Sequence, residues 1–128
     1  MIGSNAFNYI NVLDKAADAS WKRNEIISNN IANDDTPGYK RKDVQFESYL
    51  MSALLGDGSL DKRVAKAKLD SLDATVYTDY ASMSYRLDGN NVDIDTESAK
   101  LAENQIRYYT LMDSMTQEFN RIKTVLAK

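Results

Sequence analysis

Cysteine and histidine are both missing from this chain of 128 residues. Without cysteine there is no disulfide and no thiolate metal site, and the redox compartment is left undetermined. Without histidine the commonest general base and the commonest metal ligand are gone. Lys and Arg number 16 against 19 Asp and Glu, a formal net charge of −3. The surplus of cations that phosphate contacts require is therefore absent, and nucleic acid is not an expected partner. No run approaches the roughly 20 apolar residues that span a bilayer. The stretch Met1 to Asn5 lacks the basic start and apolar core of a cleavable secretory signal. The expectation is a protein that stays in the cytosol or leaves it by a route that reads no such signal.

Site motifs are equally scarce. There is no Gly-rich phosphate loop, no nucleophile elbow, and no spacing that supports a Ser–Lys pair. A calcium loop started at Asp88 puts Val92, Asp93 and Ala99 at its fifth, sixth and twelfth positions, and one started at Asp57 puts Lys62 and Lys68 at its sixth and twelfth. Both fail the ligand pattern, which needs glycine sixth and glutamate twelfth. No catalysis, cofactor, metal or small-molecule substrate is expected.

What the chain does contain is organised around its single proline, Pro37, which stands directly before Gly38. Proline presets φ near −65° and glycine accepts positive φ, so the pair reads as the central positions of a type II turn. Thr36 is pushed away from helical geometry by the proline after it, and a helix arriving from upstream must end first. Asn33 is the expected left-handed residue just past that end.

The upstream helix is expected over Ala6–Ala32. Its apolar stripe, Ala6, Ile10, Leu13, Ala17, Trp21, Asn24, Ile27 and Ile31, advances by threes and fours, while Asn11, Lys15, Asp18, Lys22 and Asn29 share the opposite face. Ser4 or Asn5 is the expected N-cap. A second helix is expected from about residue 96 to 128, opened by Asp95-Thr96-Glu97. Its seam is Leu101, Gln105, Tyr108, Met112, Met115, Phe119, Ile122 and Leu126, alternating steps of four and three. That is a heptad, the repeat of a coiled coil.

Residues 34–95 between the helices are less regular. Val44, Phe46, Tyr49, Leu50, Ala53 and Leu54 fit a short helix or an extended arm, and Gly56-Asp57-Gly58-Ser59 is a break. Lys62-Arg63-Val64-Ala65-Lys66-Ala67-Lys68 reads as a solvated face or flexible loop, and Lys40, Arg41 and Lys42 as solvated charges. From Ala74 to Asp95 the residues turn β-branched and aromatic (Thr75, Val76, Tyr77, Thr78, Tyr80, Tyr85, Leu87, Val92, Ile94), and Asp88-Gly89-Asn90-Asn91 is the expected turn of a small hairpin. The fold class is thus mainly α, with long amphipathic terminal helices forming a coiled-coil-like pair, a partly disordered middle and a small β-hairpin, all in one unit. A lone pair of helices gives each helix one partner, and ordering each backbone residue costs about 1–2 kcal/mol. Assembly is expected to supply the missing burial, with large aromatics such as Trp21, Tyr108, Tyr109 and Phe119 as packing groups or interface anchors.

Two segments carry a resemblance. Asn29-Asn30-Ile31-Ala32-Asn33 followed by Thr36-Pro37-Gly38-Tyr39-Lys40-Arg41 resembles the signature at the end of the N-terminal helix in bacterial flagellar rod and hook proteins. Leu87-Asp88-Gly89-Asn90-Asn91-Val92-Asp93-Ile94-Asp95, with Ala99-Lys100-Leu101-Ala102-Glu103-Asn104-Gln105, is similar to the B-type proximal rod branch of that family. The resemblance implies a structural axial subunit without catalysis, exported through the flagellar type III apparatus and packed by its terminal helices in the core of a helical tube. Its implied partners are its own copies, other rod proteins, and the membrane base with its export gate. The motif residues Asn29, Asn30, Ile31, Ala32, Asn33, Thr36, Pro37, Gly38 and Tyr39, with Asp88, Gly89, Asn90, Asn91, Val92 and Asp93, are the implied assembly elements. The helix interface is expected from Ile10, Leu13, Ala17, Trp21, Ile27, Ile31, Leu101, Tyr108, Met112, Met115, Phe119, Ile122 and Leu126. Another short rod protein of the same family, and a cytosolic coiled-coil adaptor, are the alternatives at this level.

Overall fold

Two long antiparallel helices carry the fold, and a strand, a short helix and a 3-10 helix between them pack on the first. The structure is a computed structural model that describes residues 6–81 and 86–127. Helix α1 runs Asn8–Ala32 and buries Ile10, Ala17, Ala19, Ser20, Ile27 and Asn30, a line that repeats at helical spacing. The expected caps Ser4 and Asn5 lie outside the described residues. Of the expected stripe, Ile10, Ala17 and Ile27 are buried and Leu13 and Ile31 half-buried, whereas Trp21 stays 61% exposed.

The end of α1 corrects one expectation. Asn33 is not left-handed: it sits at φ −102°, ψ 17°. Its N–H donates to the carbonyls of Asn29 and Asn30 at 3.1 and 3.2 Å, and its side-chain amide to Asn29 at 2.8 Å. Its Oδ1 accepts the Thr36 hydroxyl at 3.1 Å. The side chain adds a second bond to the Asn29 carbonyl and holds Thr36, so the helix end is closed with the backbone still right-handed.

Strand β1 (Lys42–Gln45) leads straight into helix α2 (Glu47–Ala53), so the ambiguous stretch after the turn is an extended arm and then a short helix. Helix α3 (Leu60–Lys66) is capped by the Ser59 hydroxyl and buries Val64, while Lys62 and Lys66 stay in solvent. A 3-10 helix (Leu69–Leu72) and strand β2 (Thr75–Thr78) follow. The small β element is antiparallel, with Lys42 opposite Thr78 and Gln45 opposite Thr75. Its partners are thus β1 and β2. Among the described residues no strand flanks the expected hairpin turn Asp88–Asn91, and the groups of that turn bind the end of α1 instead. Tyr85, part of the expected run, lies outside the described residues. Ala19, Phe46 and Leu72 form the buried apolar cluster, flanked by Val12, Ala16, Leu50, Ala53, Leu69 and Ala74.

Helix α4 (Ile94–Leu126) is capped by Asp93, not Asp95: the Asp93 carboxylate accepts from the Asp95 and Thr96 N–H groups and, at 2.9 Å, from the Thr96 hydroxyl. It packs antiparallel on α1, with Asn30 against Glu97 and Ser20 against Asn104. The expected seam splits lengthwise. Leu101, Tyr108, Met115 and Ile122 are half-buried, whereas Gln105, Met112, Phe119 and Leu126 on the next flank are exposed. Helix α1 covers the other side of that line, where Asn104 is buried and Leu111 half-buried.

The two buried residues of α4, Glu97 and Asn104, both lie in its first half. Local opening free energy follows burial. Amide exchange of the dilute protein is therefore expected to show protection through α1 and residues 97–111 and fast exchange over 116–126. Uniform protection along α4 would contradict this.

Candidate functional site

The two motif segments fold against each other. Tyr39 N–H donates to the Thr36 carbonyl at 3.2 Å and Gly38 sits at φ +72°, as a type II turn requires. The second turn places Gly89 at φ +77° with its N–H on the Arg86 carbonyl. A Cβ on Gly89 would lie 3.9 Å from the Gly38 Cα, so the two left-handed glycines stand face to face. Gly38 N–H donates to the Asp88 carbonyl at 2.7 Å, Asn91 N–H to the Tyr39 carbonyl at 3.3 Å, and the Lys40 ammonium to the Gly89 carbonyl.

Asn90 is the plug of this contact. It is fully buried, and its amide nitrogen faces the carbonyls of Asn33, Asp34 and Thr36 at 2.8, 3.0 and 2.9 Å. Its Oδ1 accepts Val92 N–H at 2.7 Å. Asn91 joins the next layer, accepting Arg41 N–H at 2.7 Å and donating to the Asp79 carbonyl at 2.8 Å. Arg86 ties the rim through Asp34 and Asp88, each at 3.0 Å.

Beneath the turns lies a charged cluster. Arg41 and Glu97 are 5% and 1% exposed. The Arg41 guanidinium donates to Glu97, to Asp79 at 2.8 Å and to Asp43 at 3.1 Å. Burial works against its charge, but the three carboxylates outweigh burial and hold the proton more firmly than usual. Glu97 also accepts from the Asn30 amide at 3.1 Å. Asn30, fully buried on α1, donates to the Lys42 carbonyl and accepts from Lys42 N–H at 2.9 Å and the Tyr39 hydroxyl at 3.2 Å. Burial, with Glu97 nearby, raises the Tyr39 phenol above its ordinary value.

Arg41 corrects the reading of residues 40–42 as solvated charges. Glu97 was legible in principle, because 97, 101, 104 and 108 share one helical face and put a carboxylate on the covered side. The structure thus joins Asn30, Asn33, Thr36, Gly38 and Tyr39 with Asp88, Gly89, Asn90 and Asn91. Asn29 takes part through its carbonyl, Val92 is buried beside the turn, and Asp93 caps α4. Ile31 is half-buried, and Ala32 and Pro37 are exposed. Among the described residues, no group of three or more acidic, His or Cys side chains is arranged to hold a metal ion. The chemistry of this site is hydrogen bonding and charge pairing.

Glu47 ties α1 to α4 from outside: it accepts from Arg23 at 2.7 Å and from Arg107 at 2.8 Å. The Arg23 hydrogen bond holds the Glu47 carboxyl below its usual range. Its contribution to stability is therefore complete above the ordinary carboxylate pKa and is lost as pH falls through the lowered folded value. Urea midpoints are expected to fall in that acid window, with a smaller fall in Glu47→Gln; identical pH profiles would contradict it. Arg41→Met strands Glu97 without its cation and is expected to cost about 3–5 kcal/mol, measured by urea unfolding. A loss below about 1 kcal/mol, the range of surface pairs, would contradict the buried geometry.

Residues 10–40, which contain most of α1 and the first turn, match the family model for the flagella basal body rod protein. The chain is 41% identical over 117 residues to the flagellar basal body rod protein FlgB of Bacillus subtilis, covering 89% of each chain. It is 34% identical to FlgB of Borreliella burgdorferi over 81% of this chain and 84% of the relative. With FlgB of Escherichia coli the identity is 31%, over 82% and 83%. With relatives of this identity and coverage, the chain belongs to the flagellar basal body rod protein FlgB family, structural subunits of the rod and not enzymes.

Proposed function

We propose that the chain assembles with copies of itself through α1 and α4 into the helical tube of the proximal rod, linking the membrane base to the distal rod and transmitting torque. The observation that carries this reading is the uncovered flank of α4: Met112, Phe119 and Leu126 are 42%, 49% and 68% exposed along one heptad line. Trp21, in ring contact with Tyr108 at 5.8 Å, extends the same apolar surface onto α1. Exposed apolar surface in a continuous line marks an interaction face. Contacts between unlike surfaces of identical subunits give a helical filament when the rotation does not close. The other partners on this reading are neighbouring rod proteins and the membrane base with its export gate. The chain reaches the rod, in the periplasmic space, by export without a cleaved signal.

The paired turns serve as the joint at which the chain leaves the helix core, and they set the angle of exit. Tyr39 supports this locally, since its hydroxyl is bonded back to α1.

Gly38→Val tests the joint. Nothing lies within 4 Å of a Cβ there, so no clash follows, but φ +72° strains a β-branched residue by about 1–3 kcal/mol. The variant is expected to remain soluble and to fail in rod assembly, with Gly38→Asn intermediate. Normal rods from Gly38→Val would sink the joint. Deleting the coding region should abolish motility and rods; motile cells with complete basal bodies would rule out the rod reading.

A further inference from the structure

The flank that α4 turns inward is the less apolar of the two available to it. The covered side presents Asn104, Leu111 and Glu118, whereas Gln105, Met112, Phe119 and Leu126 are left in solvent. Neighbouring residues on a helix are about 100° apart, so Asn104 and Gln105 flank the Leu101 line on opposite sides, and a roll of roughly half that angle would exchange the two flanks while keeping the shared line of Leu101, Tyr108, Met115 and Ile122 in contact. Apolar burial alone favours the rolled arrangement. Something polar opposes it.

We infer that the reciprocal pair Ser20–Asn104 selects which flank of α4 faces α1, and so keeps the apolar flank outside. Asn104 is 3% exposed and Ser20 2%. The Ser20 hydroxyl donates to Asn104 Oδ1 at 3.1 Å, and Asn104 Nδ2 donates to the Ser20 carbonyl at 2.8 Å. Both ends of one side-chain amide are thus satisfied two turns into the helix pair, in a buried position. Glu97 holds only the first turn of α4. A roll would swing the Asn104 amide away from Ser20 and strip the pair of its bonds, the penalty that attends any buried polar group left unpaired. The pair also resists slippage. The shared line repeats every seven residues, so a shift of seven would keep the apolar contacts but bring Asn104 opposite Leu13 or Ile27 in place of Ser20. A buried asparagine is the known device for fixing register in a helical seam. Replacing both partners by apolar groups is by contrast nearly neutral for stability. Ser20 and Asn104 are positioning residues, and their link to assembly rests on the self-association proposed above.

The test uses the absence of native cysteine. Met112→Cys and Leu111→Cys, each the sole thiol, report the two flanks by their rates of reaction with a maleimide. In the parent chain Met112→Cys is expected to react faster. In the Ser20→Ala/Asn104→Leu background the order is expected to reverse, with Leu111→Cys gaining severalfold and Met112→Cys losing severalfold, while the urea midpoint does not fall. Ser20→Ala/Asn104→Ala, which adds no bulk, should reverse it too. Rod assembly by the Ser20→Ala/Asn104→Leu chain is expected to drop at unchanged stability. Unchanged thiol rates in both backgrounds overturn face selection, whatever the rods do. Reversed rates with undiminished assembly overturn its link to assembly. Failure of the parent chain to self-associate strikes the functional reading alone, because the thiol rates are measured on the single chain.

Discussion

The end of a helix leaves carbonyls without partners, and α1 ends where the chain must turn outward under cover of a second segment. Those carbonyls have to be bonded. One buried side chain, Asn90, faces three carbonyls at the end of α1, and it comes from a segment more than fifty residues later. The rest of the joint depends on this. With Asn90 in place, Gly38 reaches Asp88, Asn91 reaches Tyr39 and Arg41, and the backbone of residues 39–41 is delivered to the position where Arg41 meets Glu97. The glycines are needed because both turns hold a positive φ, +72° at Gly38 and +77° at Gly89, which strains any side chain with a Cβ. The first helix, the strand pair and the last helix are thereby tied at one point.

That point is polar, and so is much of what is buried elsewhere. Asn30, Arg41, Asn90, Asn91, Glu97, Asn104 and Ser20 are inside, while Trp21, Tyr109, Phe119 and Leu126 are outside. On the proposed assembly the apolar helix flanks are kept for neighbours, and the subunit then needs another means to hold its own geometry. Directional hydrogen bonds and ion pairs supply it, because they penalise wrong arrangements more than they add net stability.

Much of this was legible in the sequence, and the parts that were not have physical reasons. The Pro37-Gly38 turn follows from the φ preferences of two residues, and both long helices follow from their periodicity. The heptad on α4 marked an apolar stripe of which Leu101, Tyr108, Met115 and Ile122 are half-buried and the rest exposed, because a repeat shared by two flanks does not say which one α1 covers; the polar pair Ser20–Asn104 bears on that, and pairing is a tertiary fact. The strands are four residues each and join segments some thirty residues apart, so local alternation pointed to a hairpin at Asp88–Asn91 whose groups are engaged elsewhere. Arg41 looked like a surface cation because its three carboxylates, Asp43, Asp79 and Glu97, are scattered along the chain.

The central claim is that two motifs, one from each side of the middle segment, act as a single unit. Asn30 and Asn90 belong to different motifs and share no direct bond, which makes them the sharpest probe. A double-mutant cycle with Asn30→Ala and Asn90→Ala, measured by urea unfolding, should show a coupling of about 1 kcal/mol or more, as groups in one hydrogen-bond network do. Additivity within roughly 0.3–0.5 kcal/mol, the behaviour of independent sites, would contradict a unified joint.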